Sequence, residues 1–233
     1  MSNPADDLRC VAVLPAGGTG SRFGGDVPKQ FVQVGGRELI TWALSRFDAS
    51  PSVSGIVIAV HADEMDRARR IVSSPHWRKP IQLVEGGSNR QQSVANALAV
   101  AGGEPLVAVH DAVRPVFSER LLAALLVAAR DCGAAIPGRP LTETIHRVAN
   151  GFVAESPRRE EWVAAQTPQC FRLDLLSDCL ERAGAEGFVG TDEASLLIRY
   201  GHPVRVIEGE EANIKVTRPA DMKQVEPLLG VEE

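Results

Sequence analysis

The chain alternates short apolar runs with amphipathic stretches, and glycine or proline marks most of the boundaries. Residues 9–15 are almost continuously apolar, the pattern of a strand buried on both faces. Leu39, Trp42, Ala43 and Phe47 recur at helical spacing within 38–47. A β-branched run at 55–60 predicts a strand, 61–72 a charged helix closed off by Pro75 and Pro80, and 81–84 another strand. After a turn at Gly86-Gly87, 88–101 reads as a helix ending at Gly102-Gly103. Leu106 to His110 reads as a strand with Asp111 at its C-terminal end. Ser118 can cap a helix running to Asp131, and Ala134 to Pro137 is a further strand. This β-α-β-α-β order predicts an α/β fold, a mostly parallel, doubly wound sheet flanked by helices with ligands at the strand C-termini.

The pattern then changes. Residues 142–148 and 152–156 are β-prone and joined by Ala149-Asn150-Gly151, a strong hairpin signal. The first arm is polar on both faces: Thr142, Glu143, Thr144, His146 and Arg147 all lie in it. A two-stranded ribbon that covers no core is marginal alone, so it should pack on something else. A second copy of the chain is the simplest candidate, and folding back onto its own domain is the alternative. Helices are predicted over 172–185 and 192–200, a strand over 203–208 and a last helix over 219–229. Lys215, between Ile214 and Val216 in a short β-prone piece, points opposite to its apolar neighbours, either into solvent or into the crevice.

Composition narrows the class. At 233 residues the chain is read as one domain spanning 1–233, with 139–160 as a protruding β-hairpin arm. Apolar residues are 44% and charged residues 24%, which excludes wholesale disorder. A net charge of −5 argues against a nucleic-acid partner while leaving room for a local basic pocket. No apolar run approaches the roughly 18 residues of a membrane span, and residues 1–9 lack an apolar signal core. Cys10, Cys132, Cys170 and Cys179 are scattered, without C-x-x-C spacing, and read as reduced thiols of a cytoplasmic protein.

Candidate chemistry lies at three places. The first is the loop after the first strand, Pro15 to Gly25, followed by Pro28-Lys29-Gln30. Five glycines between Gly17 and Gly25 let backbone N–H groups face an anion at close range, and Arg22 and Lys29 add fixed positive charge. A nucleoside triphosphate matches that pattern; a flexible turn is the plain alternative. The Walker Gly-Lys-Ser/Thr sequence is absent, and Phe23 stands where a dinucleotide fingerprint needs its third glycine. His61 and Ala62 follow Val60, so no acidic residue ends the second strand to hold a nicotinamide ribose. The second place is His110 to Pro115. Asp111 can help hold Mg²⁺ against phosphate oxygens or can merely cap a turn; Arg114 can grip a second phosphate, and His110 reads as a packing or hydrogen-bonding residue. The third gathers Arg158, Arg159, Thr167, Thr191, Asp192, Glu193, Lys215 and Arg218. Thr191 before Asp192-Glu193 reads as a helix N-cap with an acidic first turn.

Taken in order, several segments resemble the 2-C-methyl-D-erythritol 4-phosphate cytidylyltransferase family. They are the Leu14 to Gln30 loop, Gly86-Gly87 with Arg90 and Ser93-Val94, His110 to Pro115, Thr167-Pro168-Gln169, Thr191 to Ala194 and Asn213 to Pro219. The resemblance runs from about Cys10 to Met222. It implies a Rossmann-like nucleotidyltransferase fold and a homodimer held by exchanged β-arms. It also implies transfer of the cytidylyl group of CTP to the sugar-alcohol phosphate with release of pyrophosphate, using Mg²⁺ or another divalent cation. Matching positions place Ala16, Gly17, Gly87, Ser88 and Ser93 around the cytosine. Gly18, Gly20, Arg22, Lys29 and Lys215 fall on the triphosphate or the transferring phosphoryl. Pro15, Thr19, Arg90 and Ala112 join the nucleotide-binding set, and Asp111 falls at the metal. Arg114, Thr144, Arg159, Thr167 and Thr191 fall on the acceptor phosphate, with Thr144 and Arg159 reaching across the dimer. The sequence departs from the pattern at Gly17, where the family often has a second alanine, and at Ala212, where some members carry an acidic residue near the metal. Arg158-Arg159 leaves the arm arginine open by one position, and counting back from Thr167 favours Arg159.

The implied chemistry suits the residues. A phosphate monoester is ionised near neutral pH, so no general base is needed, and no His/Asp or Ser/His/Asp constellation is present. Arg22, Lys29 and Lys215 are the expected catalytic groups, opposing the repulsion between two anions. Two other readings remain at this point: a cytidylyltransferase acting on ribitol 5-phosphate, and a non-catalytic nucleotide-binding regulator on the same fold.

Overall fold

The computed structural model describes residues 8–18 and 27–230. In chain order the main elements open with β1 (Cys10–Ala16), β2 (Gln33–Val34), β3 (Arg37–Glu38), α1 (Leu39–Ala49), β4 (Val53–Val60), α2 (Met65–Val72) and β5 (Ile81–Glu85). They continue with α3 (Arg90–Leu98), β6 (Leu106–Val109), α4 (Glu119–Cys132), β7 (Ala134–Pro140), β8 (Arg147–Ala149) and β9 (Phe152–Glu155). The last are β10 (Val163–Ala165), β11 (Gln169–Arg172), α5 (Leu173–Glu186), α6 (Glu193–Arg199), β12 (Arg205–Glu208) and α7 (Pro219–Val225).

The central sheet runs β10-β7-β11-β6-β1-β4-β5, with β12 also paired to β7. Pairings β6–β1, β1–β4, β4–β5 and β12–β7 are parallel, whereas β11 runs antiparallel to both β6 and β7, and β10 antiparallel to β7. Side chains of β1 alternate between two cores. Cys10, Ala12 and Leu14 join α1, α2 and α4 on one face, through residues such as Ile40, Leu44, Ala68 and Leu122. Val11 and Val13 join α3, α5 and α6 on the other, through Val94, Leu176, Cys179 and Leu196. Burial on both faces is why the strand reads as a continuous apolar run. A third, smaller cluster of Val34, Leu39, Val113, Val216 and Val225 packs α7 and the segment carrying Lys215 against β2, the start of α1 and the loop after β6.

The expected doubly wound sheet is present, with two additions. The four-residue β11 and three-residue β10 insert against the parallel direction. Helices are shorter at several ends: α3 starts at Arg90 with Asn89 as N-cap, and 61–72 splits into a single-turn 3-10 piece followed by α2. Ser118 caps α4 as expected, its Oγ accepting from the Leu121 N–H at 3.0 Å. Asp192, not Thr191, caps α6: its carboxylate accepts the Ser195 N–H at 2.9 Å, a stronger acceptor placed one residue later. Lys215 lies outside the twelve strands. The hairpin forms as β8–β9, a separate two-stranded sheet around Asn150 and Gly151, both at positive φ.

Candidate active site

The C-terminal ends of β1, β4 and β6 open into a crevice of about 410 Å³. Its lining gathers residues far apart in sequence: Pro15, Ala16, Gly17 and Gly18 after β1, Lys29 on the following turn, Gly87, Ser88, Arg90 and Ser93 around the start of α3, Asp111 and Ala112 after β6, and Lys215. Twelve of the residues singled out from sequence therefore share one cavity. Thr19, Gly20 and Arg22 lie outside the described residues.

Local chemistry holds the rim in shape. Ser93 Oγ accepts the Gly87 N–H at 3.0 Å and donates to the Asn89 carbonyl at 2.9 Å. Asn89 caps α3 by accepting the Gln92 N–H at 2.9 Å, so the positive end of that helix faces the cavity. Gly87 has no room for a side chain, because a Cβ there would lie 2.1 Å from Gln92 Cγ. At Gly17 a Cβ would meet Ser93 Oγ at 3.4 Å, so an alanine methyl would fit in ordinary contact. Gln30, to which the sequence reading gave no role, is buried and donates to the carbonyls of Ala16 at 2.7 Å and Gly18 at 3.2 Å. It ties the start of the glycine loop to the turn carrying Lys29.

Asp111 is the electrostatic centre. Lys215 Nζ stands 2.9 Å from one carboxylate oxygen, Arg90 Nε 3.2 Å from the other, and Arg114 Nε 3.6 Å away. Burial alone would raise this carboxyl; Arg90 and Lys215, then Arg114, outweigh it and hold the group well below the usual carboxylate range. Arg90 also donates to both oxygens of Glu193, at 2.6 and 2.7 Å, and Glu193 is buried. Burial raises the Glu193 carboxyl against the pull of Arg90, whereas burial would lower Arg90 and its two carboxylates raise it. The guanidinium stays charged in either case. Three cations against two carboxylates leave the cluster net positive, and Lys29 on the same cavity adds to that. The Arg90–Glu193 link left no sequence signal, since its members lie 103 residues apart.

Arg114 is buried behind Asp111, donating to the Asn213 carbonyl at 2.7 Å, and does not line the cavity. Asn213 in turn donates to the Thr167 carbonyl at 2.7 Å, which secures the segment leading to Lys215. Thr167 is also buried: its Oγ1 accepts the Asp111 N–H at 3.0 Å and lies 2.9 Å from His110 Nδ1. His110 Nε2 sits 2.8 Å from the Arg114 carbonyl and its ring meets Phe47 and Phe117 edge-on or tilted. The neutral Nε2–H tautomer satisfies both contacts: it donates to Arg114 and accepts from Thr167. Burial lowers this imidazole to about 4. His110 is thus a packed, hydrogen-bonded residue, as the sequence suggested.

The remaining acceptor-side residues stand elsewhere. Thr191 is exposed in the turn before α6. Thr144 and Arg159 lie on the exposed arm; Arg159 donates to the Thr142 carbonyl and pairs with Glu160, while Arg158 pairs with Glu161. Val148 on the first strand of the arm and Phe152 and Val153 on the second are 60%, 78% and 61% exposed, so both strands present apolar side chains to the outside. His61 also lines the crevice, a placement not foreseen.

Among the described residues no helix is long and apolar enough to cross a membrane, and all four cysteines are free thiols. The family model for 2-C-methyl-D-erythritol 4-phosphate cytidylyltransferase matches residues 10–230. The enzyme of that name from Solibacter usitatus is 39% identical, covering 97% of this chain and 97% of its own. That from Symbiobacterium thermophilum is 40% identical over 94% of this chain and 92% of its own. The crystal structure of the Thermus thermophilus enzyme superposes with a TM-score of 0.78 at 33% identity, covering 96% of this chain and all of that one. The 4-diphosphocytidyl-2C-methyl-D-erythritol synthase of Anaerococcus prevotii superposes with a TM-score of 0.83 at 27% identity over the same 96%. This chain belongs to the 2-C-methyl-D-erythritol 4-phosphate cytidylyltransferase family.

Proposed function

We infer that the chain transfers the cytidylyl group of CTP to 2-C-methyl-D-erythritol 4-phosphate, yielding 4-diphosphocytidyl-2-C-methyl-D-erythritol and pyrophosphate for isoprenoid precursor synthesis. One observation carries this reading beyond family membership. An ionised aspartate at a strand C-terminus lies under Arg90 and Lys215, in a glycine-walled cavity that faces a helix N-terminus. Such a cavity accepts a polyanion.

The acceptor is already nucleophilic. A phosphate monoester carries most of its second charge near neutral pH, so no side chain must remove a proton. Attack on the α-phosphorus gathers charge on nucleophile, centre and leaving pyrophosphate. Lys29 and Lys215 line the cavity where that charge develops, and Arg22 is assigned the same role from the sequence motif alone. All three act chiefly on the transition state. Ser93, Gly87 and the backbone at Ala16 and Gly17 form the wall for the base. Thr167 and Arg114 orient Asp111 from behind, and Thr191 faces the acceptor.

The donor set fits a hard divalent cation shared with phosphate. Among the described residues Asp111 is the carboxylate lining the cavity, and no cluster of three or more potential metal-binding side chains occurs. Asp111 would hold Mg²⁺, with phosphate and water oxygens as the other ligands. When bound, the cation draws charge from the phosphoryl oxygens.

The arm supports a homodimer. Phe152, Val153 and Val148 have no core of their own, and Thr144 and Arg159 lie away from this chain's cavity, consistent with service to a partner's site. The four free thiols are consistent with a cytoplasmic enzyme.

Pyrophosphate release with CTP, Mg²⁺ and 2-C-methyl-D-erythritol 4-phosphate tests the function, with ribitol 5-phosphate alongside. Release with the first acceptor is expected. Release with ribitol 5-phosphate alone would reassign the substrate, and release with neither would overturn the reading.

A further inference from the structure

The first turn of α3 faces two ways. Ser93, one helical turn in, shapes the nucleotide wall through Gly87 and Asn89. Gln91 turns away from that wall toward the α5–α6 connection. Its Nε2 donates to the Phe188 carbonyl at 2.9 Å, and its Oε1 accepts the Gly190 N–H at 2.9 Å. One side-chain amide thus holds two backbone groups of a turn, in the donor–acceptor pairing of adjacent β-strands. The turn leads directly into Thr191.

We propose that Gln91 is a positioning residue for the acceptor side of the site, fixing the turn that presents Thr191. The proposal rests on the function inferred above. Three features make the turn responsive to a single clamp. Gly190 packs so closely on α6 that a Cβ would lie 2.5 Å from Ser195 Oγ, so the backbone has little freedom to relax sideways. Downstream, Asp192 is already fixed by the α6 cap and by Gln169, whose Nε2 donates to it at 2.8 Å. Upstream, the Phe188 N–H is held by the Ala183 carbonyl at 2.9 Å, but Val189 is 58% exposed and anchors nothing. The Phe188 ring packs on the core and under Arg199, 4.1 Å away, but the backbone carbonyl of Phe188 and the N–H of Gly190 are held by Gln91. Arg90, the preceding residue, reaches α6 through Glu193 instead and bears on Asp111. Neighbouring residues of one helix therefore divide the work: Arg90 serves the charge cluster and Gln91 the acceptor turn.

The test compares steady-state kinetics of the full chain with Gln91→Ala and Gln91→Glu. Gln91→Ala should raise KM for the acceptor about tenfold, the equivalent of one hydrogen bond's net contribution, while KM for CTP stays within about twofold. Gln91→Glu keeps the acceptor for Gly190 but sets a carboxylate oxygen against the Phe188 carbonyl, so its effect on the acceptor KM should be at least that of alanine. Amide hydrogen exchange supplies a readout independent of turnover: the Gly190 N–H should exchange at least about tenfold faster in Gln91→Ala, with the β1 and β6 amides unchanged. Unchanged exchange at Gly190, or equal rises in both KM values, would overturn the proposal. Inactivity of the folded parent chain would count against the function instead, and the Gly190 exchange rate would still decide the clamp.

Discussion

The crevice and the arm contain ion pairs of nearly the same length and different worth. Arg90 meets Glu193 at 2.6 Å, and Arg147 meets Glu155 at 2.7 Å. Glu193 is 1% exposed, whereas Arg147 and Glu155 are 57% and 62% exposed. Distance does not separate them; access to water does. Water replaces the arm pair at little cost when it opens. The crevice pair cannot open without leaving charge buried and unpaired. The two regions follow one logic with respect to ligand. The crevice is organised within a single chain, and the arm presents polar and apolar groups that this chain leaves exposed.

The sharpest way to break this contrast is to cut both pairs. Glu193→Ala should cost about 3 kcal/mol of folding stability in urea denaturation, because both hydrogen bonds between Arg90 and this buried carboxylate are lost. The low pH limb gives the next effect. His110 titrates at about 4 when folded and near its ordinary value when unfolded, so between those values the unfolded chain binds the extra proton. Its contribution is present above pH ~6.5 and lost as pH falls through ~4, a change of about 3 kcal/mol. A His110→Gln variant should show a flatter stability profile across that window than the parent. A parallel pair of profiles would remove His110 from the account. Asp111, held low, loses its contribution only at more acidic pH.

On activity, Lys29→Ala should lower kcat at least ~100-fold, as loss of a preorganised charge donor does. An unchanged kcat with a raised KM would move Lys29 from transition-state stabilisation to plain binding. Arg147→Ala should give the smallest effect, below about 1 kcal/mol in stability. An arm variant as damaging as Glu193→Ala would mean that exposure misjudges the arm, as burial against a partner would cause; sedimentation at several concentrations would then show it.

Much of this was legible in the chain because it is local. The β1 run and the Asn150-Gly151 turn each fit within about ten residues, where period and turn chemistry apply directly. Asp111 could be placed at a strand end, although a turn cap was an equal reading until Arg90, Lys215 and Arg114 were seen around it. What escaped is non-local or short. β11 has four residues, two of them polar, with no alternation to mark it, and only its position between β6 and β7 makes it a strand. Gln30 looked like one more polar loop residue, yet it holds two carbonyls of the glycine loop. Thr191 looked like a cap because it precedes two acids, but the carboxylate one position later is the better acceptor.

The reversed strand also bears on how the molecule comes to be. β7 joins the sheet beside β6 only through β11, which lies between them and pairs with both. Thr167, just before β11, contacts Asp111 across 56 residues of chain. Closing so long a loop is slow relative to local helix formation, and during synthesis it must wait for the later segment to emerge. A nascent chain ending before Thr167 can pair β1 with β4 and β6, but it has neither Thr167 behind Asp111 nor Lys215 beside it. The cavity is completed among the last events of folding, so an unfinished chain should hold a stable sheet and no competent site.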